Sequence, residues 1–214
     1  MKRHVQNFIS SLIWLPESKE LTYYKVMNIF VTNDDPVLAA RDLCDQHVRS
    51  KMVIESAIML AHAFPQELLN HPSTPRTQSG KPRKAGKGYA KHQCSIWARE
   101  TKSNFEWLVN HTLEMFTERM YRWPDSKEHF TKTFIEWCGN NAHNITTTRL
   151  ELTPYAVAIN TDCNCRKLPN FDNLSVIEQY RAYIIHDKEF ATWTVRQSPD
   201  WYHTEHQSDH LQYD

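Results

Sequence analysis

Asp45-Gln46-His47-Val48-Arg49-Ser50-Lys51-Met52-Val53-Ile54-Glu55 is the stretch on which the fold turns. It carries two helical periodicities at once. Leu38, Val48, Met52, Met59 and Ala63 recur at the spacing of a buried helix stripe. His47, Lys51 and Glu55 recur at i, i+4 and i+8, so on a regular helix they stack along a second face. A base, an amine and a carboxylate in one line can build acid–base or amine chemistry. Read blandly, the same three residues are a solvated face with one helix pair of about 0.2–0.5 kcal/mol.

Outward from that stretch the chain predicts a mainly α-helical, compact single domain with long irregular loops. Only four of 214 residues are glycine, and runs alternating in the manner of strands are few. A hydrophobic content of 40% with 12% aromatics suits a folded domain of this length. Residues 1–26 read as an N-terminal extension, and Met27-Asn28-Ile29-Phe30-Val31 as the start of the domain, which runs to 202. Asp35 is placed to cap a helix with Pro36 in its first turn, and that helix is expected over 36–64, broken near Asp45. Pro65 to Tyr89 holds four prolines and three glycines and reads as a long mobile loop. Further helices are expected over 95–121, over 126–138 closed by Gly139, and over 175–196 stopped by Ser198-Pro199. Leu152 to Ala156 reads as a turn onto a helix within an irregular 140–174, and 203–214 as a flexible tail.

Three segments carry candidate chemistry beyond the first. On the 95–121 helix, Trp97, Glu100, Asn104, Trp107 and His111 fall within a third of the circumference, so an amide and a carboxylate share a face with two indoles. A buried amide needs partners or costs about 1–3 kcal/mol, which makes the stripe either a core edge or a pocket. From His71 to His92 there are six cations (Arg76, Lys81, Arg83, Lys84, Lys87, Lys91) and no acidic residue, although the formal net charge of the chain is zero. Screening confines each charge to about 10 Å, so such a cluster acts locally. A pliant basic segment can follow a phosphate backbone and release counterions. Arg181 and Lys188, interleaved with Tyr180, Tyr183 and Trp193, suit phosphate contact and base stacking.

Other classes are not called for. The five cysteines are odd in number and irregularly spaced, which suits reduced thiols in a cytoplasmic protein rather than a disulfide framework or zinc knuckle. Neither HExxH nor a P-loop, GxGxxG or GxSxG is present, so no metal and no cofactor is expected. No run approaches the roughly 18 apolar residues of a membrane span. The short apolar run after Lys2-Arg3-His4 is interrupted by polar residues and lacks a small-residue cleavage site, so it is not read as a signal peptide.

Four blocks also carry a resemblance: MNIFVTNDDPVLAARDLCDQHVRSKMVIESA, HQCSIWARETKSNFEWL, LTPYAVAI and YRAYIIHDKEFATWTVRQSPDWY. They resemble a group of small, mostly uncharacterised bacteriophage proteins from Met27 onward. More distantly, Leu43 to His47, Glu55, His92 before Trp97, and Trp201-Tyr202 are similar to motifs of the phage pyrimidine-dimer DNA glycosylases of the endonuclease V type. That resemblance implies a compact helical fold, DNA contact, and glycosylase plus strand-cleaving lyase activity, in which an α-amino group attacks the sugar C1′ and a Glu assists. Glu55 stands one residue farther from His47 than in that family. Met27 is preceded by 26 residues, and the small N-terminal Thr of the family is absent.

Taken together these features predict an enzyme acting on a nucleobase or its glycosidic bond in DNA, either in duplex or with one base flipped out. Glu55 is the expected acid–base carboxylate, His47 its orienting partner or a phosphate ligand, and Lys51 the side-chain amine that replaces a missing terminal nucleophile. Trp97, Glu100, Asn104, Trp107 and His92 are the expected base pocket. Lys81, Arg83, Lys84, Lys87, Lys91, Arg99, Arg181 and Lys188 are expected to hold the backbone. Two alternatives use the same residues differently: a transferase elaborating a modified pyrimidine in phage DNA, and a non-catalytic DNA-binding or counter-defence protein.

Overall fold

The Asp35 carboxylate accepts the Val37 and Leu38 N–H groups at 2.7 and 3.2 Å, and Pro36 follows it in the first turn, so helix α1 (Pro36–Asp42) begins where the sequence places it. The computed structural model of the chain describes residues 27–203. The expected extension over 1–26, and the expected tail beyond His203, lie outside the described residues. Within them the fold is mainly helical as expected, and no helix is long and apolar enough to cross a membrane.

The expected 36–64 helix is three pieces. Leu43 is extended, with ψ near 138°, and the chain resumes as a π-turn (His47–Lys51) that continues into α2 (Met52–Ala61). The break separates the helical phase of α1 from that of α2. The single stripe expected across both therefore fails at its first member: Leu38 is 45% exposed, and Ala39, Ala40 and Leu43 are buried instead. Val48, Met52, Met59 and Ala63 are buried as expected.

What holds the break open is Arg122, the last residue of α5 (Lys102–Arg122) and 3% exposed. Its guanidinium donates to the carbonyls of Arg41 (3.0 Å) and Leu43 (2.8 Å), which a broken helix leaves without partners. It also pairs with Asp45 (3.1 Å) and Glu118 (3.0 Å). Arg196 clasps Glu118 from the other side at 2.5 and 2.7 Å, and the second Asp45 oxygen accepts the N–H and hydroxyl of Thr194. Every charge in this buried network is matched, which is what makes its burial tolerable.

The remaining helices are shorter than their sequence patterns. The expected 95–121 helix is α4 (Gln93–Glu100) and α5, separated at Thr101, which is extended and caps α5 by accepting the Asn104 N–H at 3.1 Å. The expected loop after Pro65 begins with a short helix, α3 (Gln66–Asn70). Residues 126–131 are irregular, ending in a turn, and α6 (Lys132–Asn140) runs through Gly139 to stop at Asn141. Helix α7 (Val176–Asp187) opens on a capping box of Ser175 and Glu178, and ends well before the expected 196. Its final carboxylate, Asp187, turns aside to accept the Asn164 and Cys165 N–H groups, and the chain after Lys188 returns to Asp45.

No helix follows Leu152 to Ala156. That segment has no regular secondary structure and is held by side chains. The Tyr180 hydroxyl accepts the Ala158 N–H (3.1 Å) and donates to the Ala156 carbonyl (2.8 Å), and Gln93 donates to the Val157 carbonyl. The main aromatic core lies between α2, α5 and α6, where Phe64 meets Phe105 edge-on at 5.5 Å and Trp137 at 4.9 Å.

Replacing Arg122 with Met leaves the buried Asp45 carboxylate without its cation and the Arg41 and Leu43 carbonyls without their donor, while Glu118 keeps Arg196. The expected cost is about 3–5 kcal/mol, read as a lower urea midpoint at unchanged slope. A loss below about 1 kcal/mol would show that the network is dispensable.

Candidate functional site

Two uncommon backbone conformations meet at one place. Phe30, buried at 4% exposure, has φ +55°, a left-handed conformation that a bulky side chain adopts only when its surroundings impose it. Opposite it lies the π-turn, an irregularity found often at functional sites. The His47 ring is 4.3 Å from that of Phe30, and Tyr183 stacks parallel to Phe30 at 5.8 Å.

The run from Met27 to Thr32 is buried without strand partners, so its peptide groups need others. The Asn28 side chain accepts the Ile29 N–H (2.8 Å) and donates to the Ala158 carbonyl (2.9 Å). The Asn28 N–H itself donates to a Glu55 carboxylate oxygen at 3.2 Å. Glu55 is 8% exposed, and its other oxygen lies 3.7 Å from the Lys51 ammonium, which is the half-exposed end of the pair. Burial raises the Glu55 carboxyl above the usual range; the Lys51 charge and the Asn28 N–H pull it back only in part.

His47 is in the cluster but does not orient Glu55. Its Nδ1 lies 3.4 Å from the Cys44 thiol, and its ring is edged by Phe190 at 5.6 Å. Burial, then the fields of Lys188 and Lys51, push its pKa down to about 3, so the imidazole is neutral at physiological pH. The π-turn is the reason for the difference. Its wider winding turns His47 inward to 5% exposure while leaving Lys51 beside Glu55.

Lys188, assigned by sequence to the DNA backbone, is the residue whose place changes most. It is 9% exposed, with its ammonium 3.9 Å over the Tyr183 ring and 5.8 Å over that of Phe30. Burial lowers its pKa, and the Lys51 charge adds to this, opposed by Cys163 and Asp187. The cluster therefore holds two amines, one of them depressed, and a carboxyl that is raised. Burial drives an acid and a base apart in this way both in structural ion pairs and at sites that transfer protons. Sequence pattern misses Asn28 and Phe30, because a left-handed Phe and a backbone N–H aimed at a carboxylate leave no motif; Tyr183, read there as a stacking group beside Lys188, packs on Phe30.

The expected base pocket takes another form. Asn104 is fully buried and donates to the Trp97 carbonyl (2.9 Å) and the Thr153 hydroxyl (2.7 Å), while its oxygen accepts the Thr153 N–H (3.0 Å). Trp107 donates to the Asp34 carbonyl at 2.7 Å, and Trp97, Trp107 and Tyr155 pack on one another within 6 Å. Glu100 pairs with Arg149 at 2.8 Å. His92 caps α4 by accepting the Cys94 N–H. These groups bind the 152–158 segment to the α4–α5 junction, and Glu55 turns instead to Asn28 and Lys51.

Among the expected backbone contacts, Lys81, Lys84, Lys87 and Lys91 are exposed along the loop. Arg83 is not: it turns inward to 8% exposure and lies over the Phe134 ring at 4.0 Å. Nor is the loop loose against the body, since Gln66 accepts the Ala85 N–H and donates to the Arg83 carbonyl. Arg99 donates back to the Ser95 carbonyl within α4, and Arg181 donates to the Thr32 carbonyl with its guanidinium 5.5 Å from the Trp201 ring.

No protein-family model matches the chain, and no curated protein or solved structure is detectably similar to it.

The buried histidines give the fold an acid limit. His47 (about 3) and His111 (about 4, stacked on Trp107) both take up a proton far less readily folded than unfolded, where the value is about 6.5. The unfolded chain thus binds more protons between those values, so stability is full above pH 6.5 and falls as pH drops toward 3. The raised Asp42 and Glu55 carboxyls oppose this, while the lowered values of His62, His92 and His129 add to it. Urea midpoints from pH 7 to pH 4 should decline, and His111→Gln should flatten the decline; a flat wild-type profile would contradict the buried neutral state.

Proposed function

We propose that this chain acts on DNA, at a nucleobase or its glycosidic bond, using the cluster around Phe30. The observation that carries this reading is the meeting of Lys51, Glu55 and Lys188 at a left-handed aromatic residue. Burial shifts Lys188 toward its nucleophilic free amine and Glu55 toward the protonated form that can donate to a leaving base. In the proposed step an amine nitrogen attacks the sugar C1′, the bond from C1′ to the base breaks, and the base leaves with a proton from Glu55. Lys51 is the amine that sequence favours; Lys188 joins it because burial and the Lys51 charge depress it. His47, neutral and wedged between Phe30 and Phe190, shapes the wall and is not the proton carrier.

Support for DNA as the substrate comes from the exposed lysines at 81, 84, 87 and 91 and from the resemblance to the phage glycosylases of the endonuclease V type. A phage origin, action in the host cytoplasm and the glycosylase class belong to this proposal. The aromatic group of Trp97 and Trp107 serves in it as the support of the 152–158 segment.

Borohydride tests the chemistry, since an imine between an amine and an opened sugar is reducible to a stable adduct. Trapping on DNA with damaged or modified pyrimidines is expected for the wild type and lost in Lys51→Ala or in Lys188→Ala, which names the nucleophile. Glu55→Gln should slow turnover by about 10²–10⁴-fold. No adduct on any such DNA would sink the glycosylase reading.

Backbone contact has its own test. Changing Lys81, Lys84, Lys87 and Lys91 together to Ala should weaken duplex binding, and every phosphate that the variant no longer neutralises should reduce the log–log salt slope by about 0.9. Unchanged affinity and slope would remove the loop from the interface.

A further inference from the structure

Past Glu55, the outer side of α2 forms the floor of a groove of about 380 Å³ whose other wall is the loop from Thr77 to Tyr89. The size falls in the range of small-molecule sites. Its floor is apolar, from Ala57, Ile58 and Ala61, and the half-exposed ring of Tyr89 stands at one end. Its charged groups are all cations, with one imidazole beside them. Lys81, Lys84, Lys87, Arg83 and His62 line it, and no acidic residue does.

Two of these groups are buried beyond nine-tenths and lack acceptors. The Nδ1 of His62 accepts the Gly86 N–H at 3.2 Å, which fixes the ring proton on Nε2 as a donor. That Nε2 is buried and has no partner among the described residues. The same is true of Nε and Nη2 of Arg83, whose guanidinium is held flat against Phe134 and faces no carboxylate. A buried charge is ordinarily paired, and buried donors are ordinarily satisfied. Here three donor atoms on a cationic wall want an anionic acceptor with several oxygens, a demand that phosphate meets through charge-assisted and bidentate bonds. Left-handed Gly86 (φ +71°) and Gly88 (φ +62°) fold the wall back over the floor, a conformation that other residues adopt only under strain.

We infer that this groove binds a single nucleotide, with its phosphate on His62, Arg83 and the loop lysines and its base between Ile58 and Tyr89. The site stands on its own donors and does not rest on the base chemistry proposed at Glu55. The nucleotide can be free or the phosphorylated end of a strand, and the chemistry of recognition is shared.

Calorimetry on the full chain with dTMP, thymidine and a trinucleotide bearing or lacking a 5′-phosphate tests this. The phosphate should matter most: dTMP is expected to bind at least ten-fold tighter than thymidine. Arg83→Met should weaken dTMP by ten-fold or more. Because that variant can lose stability, the exposed pair Lys84→Ala with Lys87→Ala is the second arm, expected to weaken dTMP several-fold without altering the urea midpoint. A 5′-phosphorylated trinucleotide that binds tighter than dTMP identifies a strand end; one that binds no better identifies the free nucleotide. Glu55→Gln should bind dTMP as the wild type does, so loss of trapping at Glu55 and loss of nucleotide binding here are separate failures. Equal affinity for dTMP and thymidine, no saturable heat with dTMP at millimolar concentration, or undiminished binding in both folded variants would overturn the inference.

Discussion

The guanidinium of Arg122 is the interaction on which the rest depends. A continuous helix from 36 to 61 would satisfy its own carbonyls, and the chain forgoes that between Asp42 and His47. Arg122 repairs the loss by taking the Arg41 and Leu43 carbonyls, and it does so from a position where Asp45 and Glu118 neutralise it. The break lets α1 pack on α5 in its own phase. It also frees the next turn to wind as a π-turn, which carries His47 inward and leaves Lys51 beside Glu55. The geometry of the candidate site is thus set at a distance, by a charge that touches none of its members.

Within the site the strained element and the stabilised elements are separable. Phe30 sits in a conformation unfavourable for its side chain, and three rings, His47, Tyr183 and Tyr180, hold it there. Its neighbour Asn28 anchors the same run through Glu55 and the Ala158 carbonyl. The carboxylate consequently has two duties, as a backbone acceptor and as a protonatable group beside an amine. Burial, the largest influence on both Glu55 and Lys188, shifts them in opposite directions because one is charged when deprotonated and the other when protonated.

Local chemistry was legible in the sequence where a single residue decides it. Asp35-Pro36 started α1, the Met52–Ala63 stripe faced the core, and the helical class followed from scarce glycine and absent strand patterning. The break near Asp45 was legible, but nothing near Leu43 announces Arg122 as the group that fills it, and other boundaries were not legible where a distant group decides them. Thr101 resembles any other helix residue until its hydroxyl caps Asn104, and Asp187 ends α7 by leaving it for the Asn164 and Cys165 amides. The candidate site was legible in part for the same reason. Lys51 and Glu55 are neighbours along one helix, so spacing finds them, whereas Lys188, Tyr183 and Phe30 arrive through tertiary packing. Asn104 was singled out correctly as a buried amide that needs partners, and those partners are the backbone of Trp97 and the nearby Thr153.

The anchors of the 43–47 break come from far along the chain: 79 residues from Leu43 to Arg122, 77 from Asp45 to Arg122 and 149 from Asp45 to Thr194. Closing loops of that length precedes any reward from the contacts they make, so such pairings form late in folding. The break ahead of the π-turn is bounded by α5 on one side and the 192–196 segment on the other. A chain that ends before α7 carries Phe30, Lys51 and Glu55 but lacks both Tyr183 and Lys188, so it holds only part of the candidate site. The contacts that shape the break thus join the two ends of the described chain, and no fragment short of Thr194 contains them all.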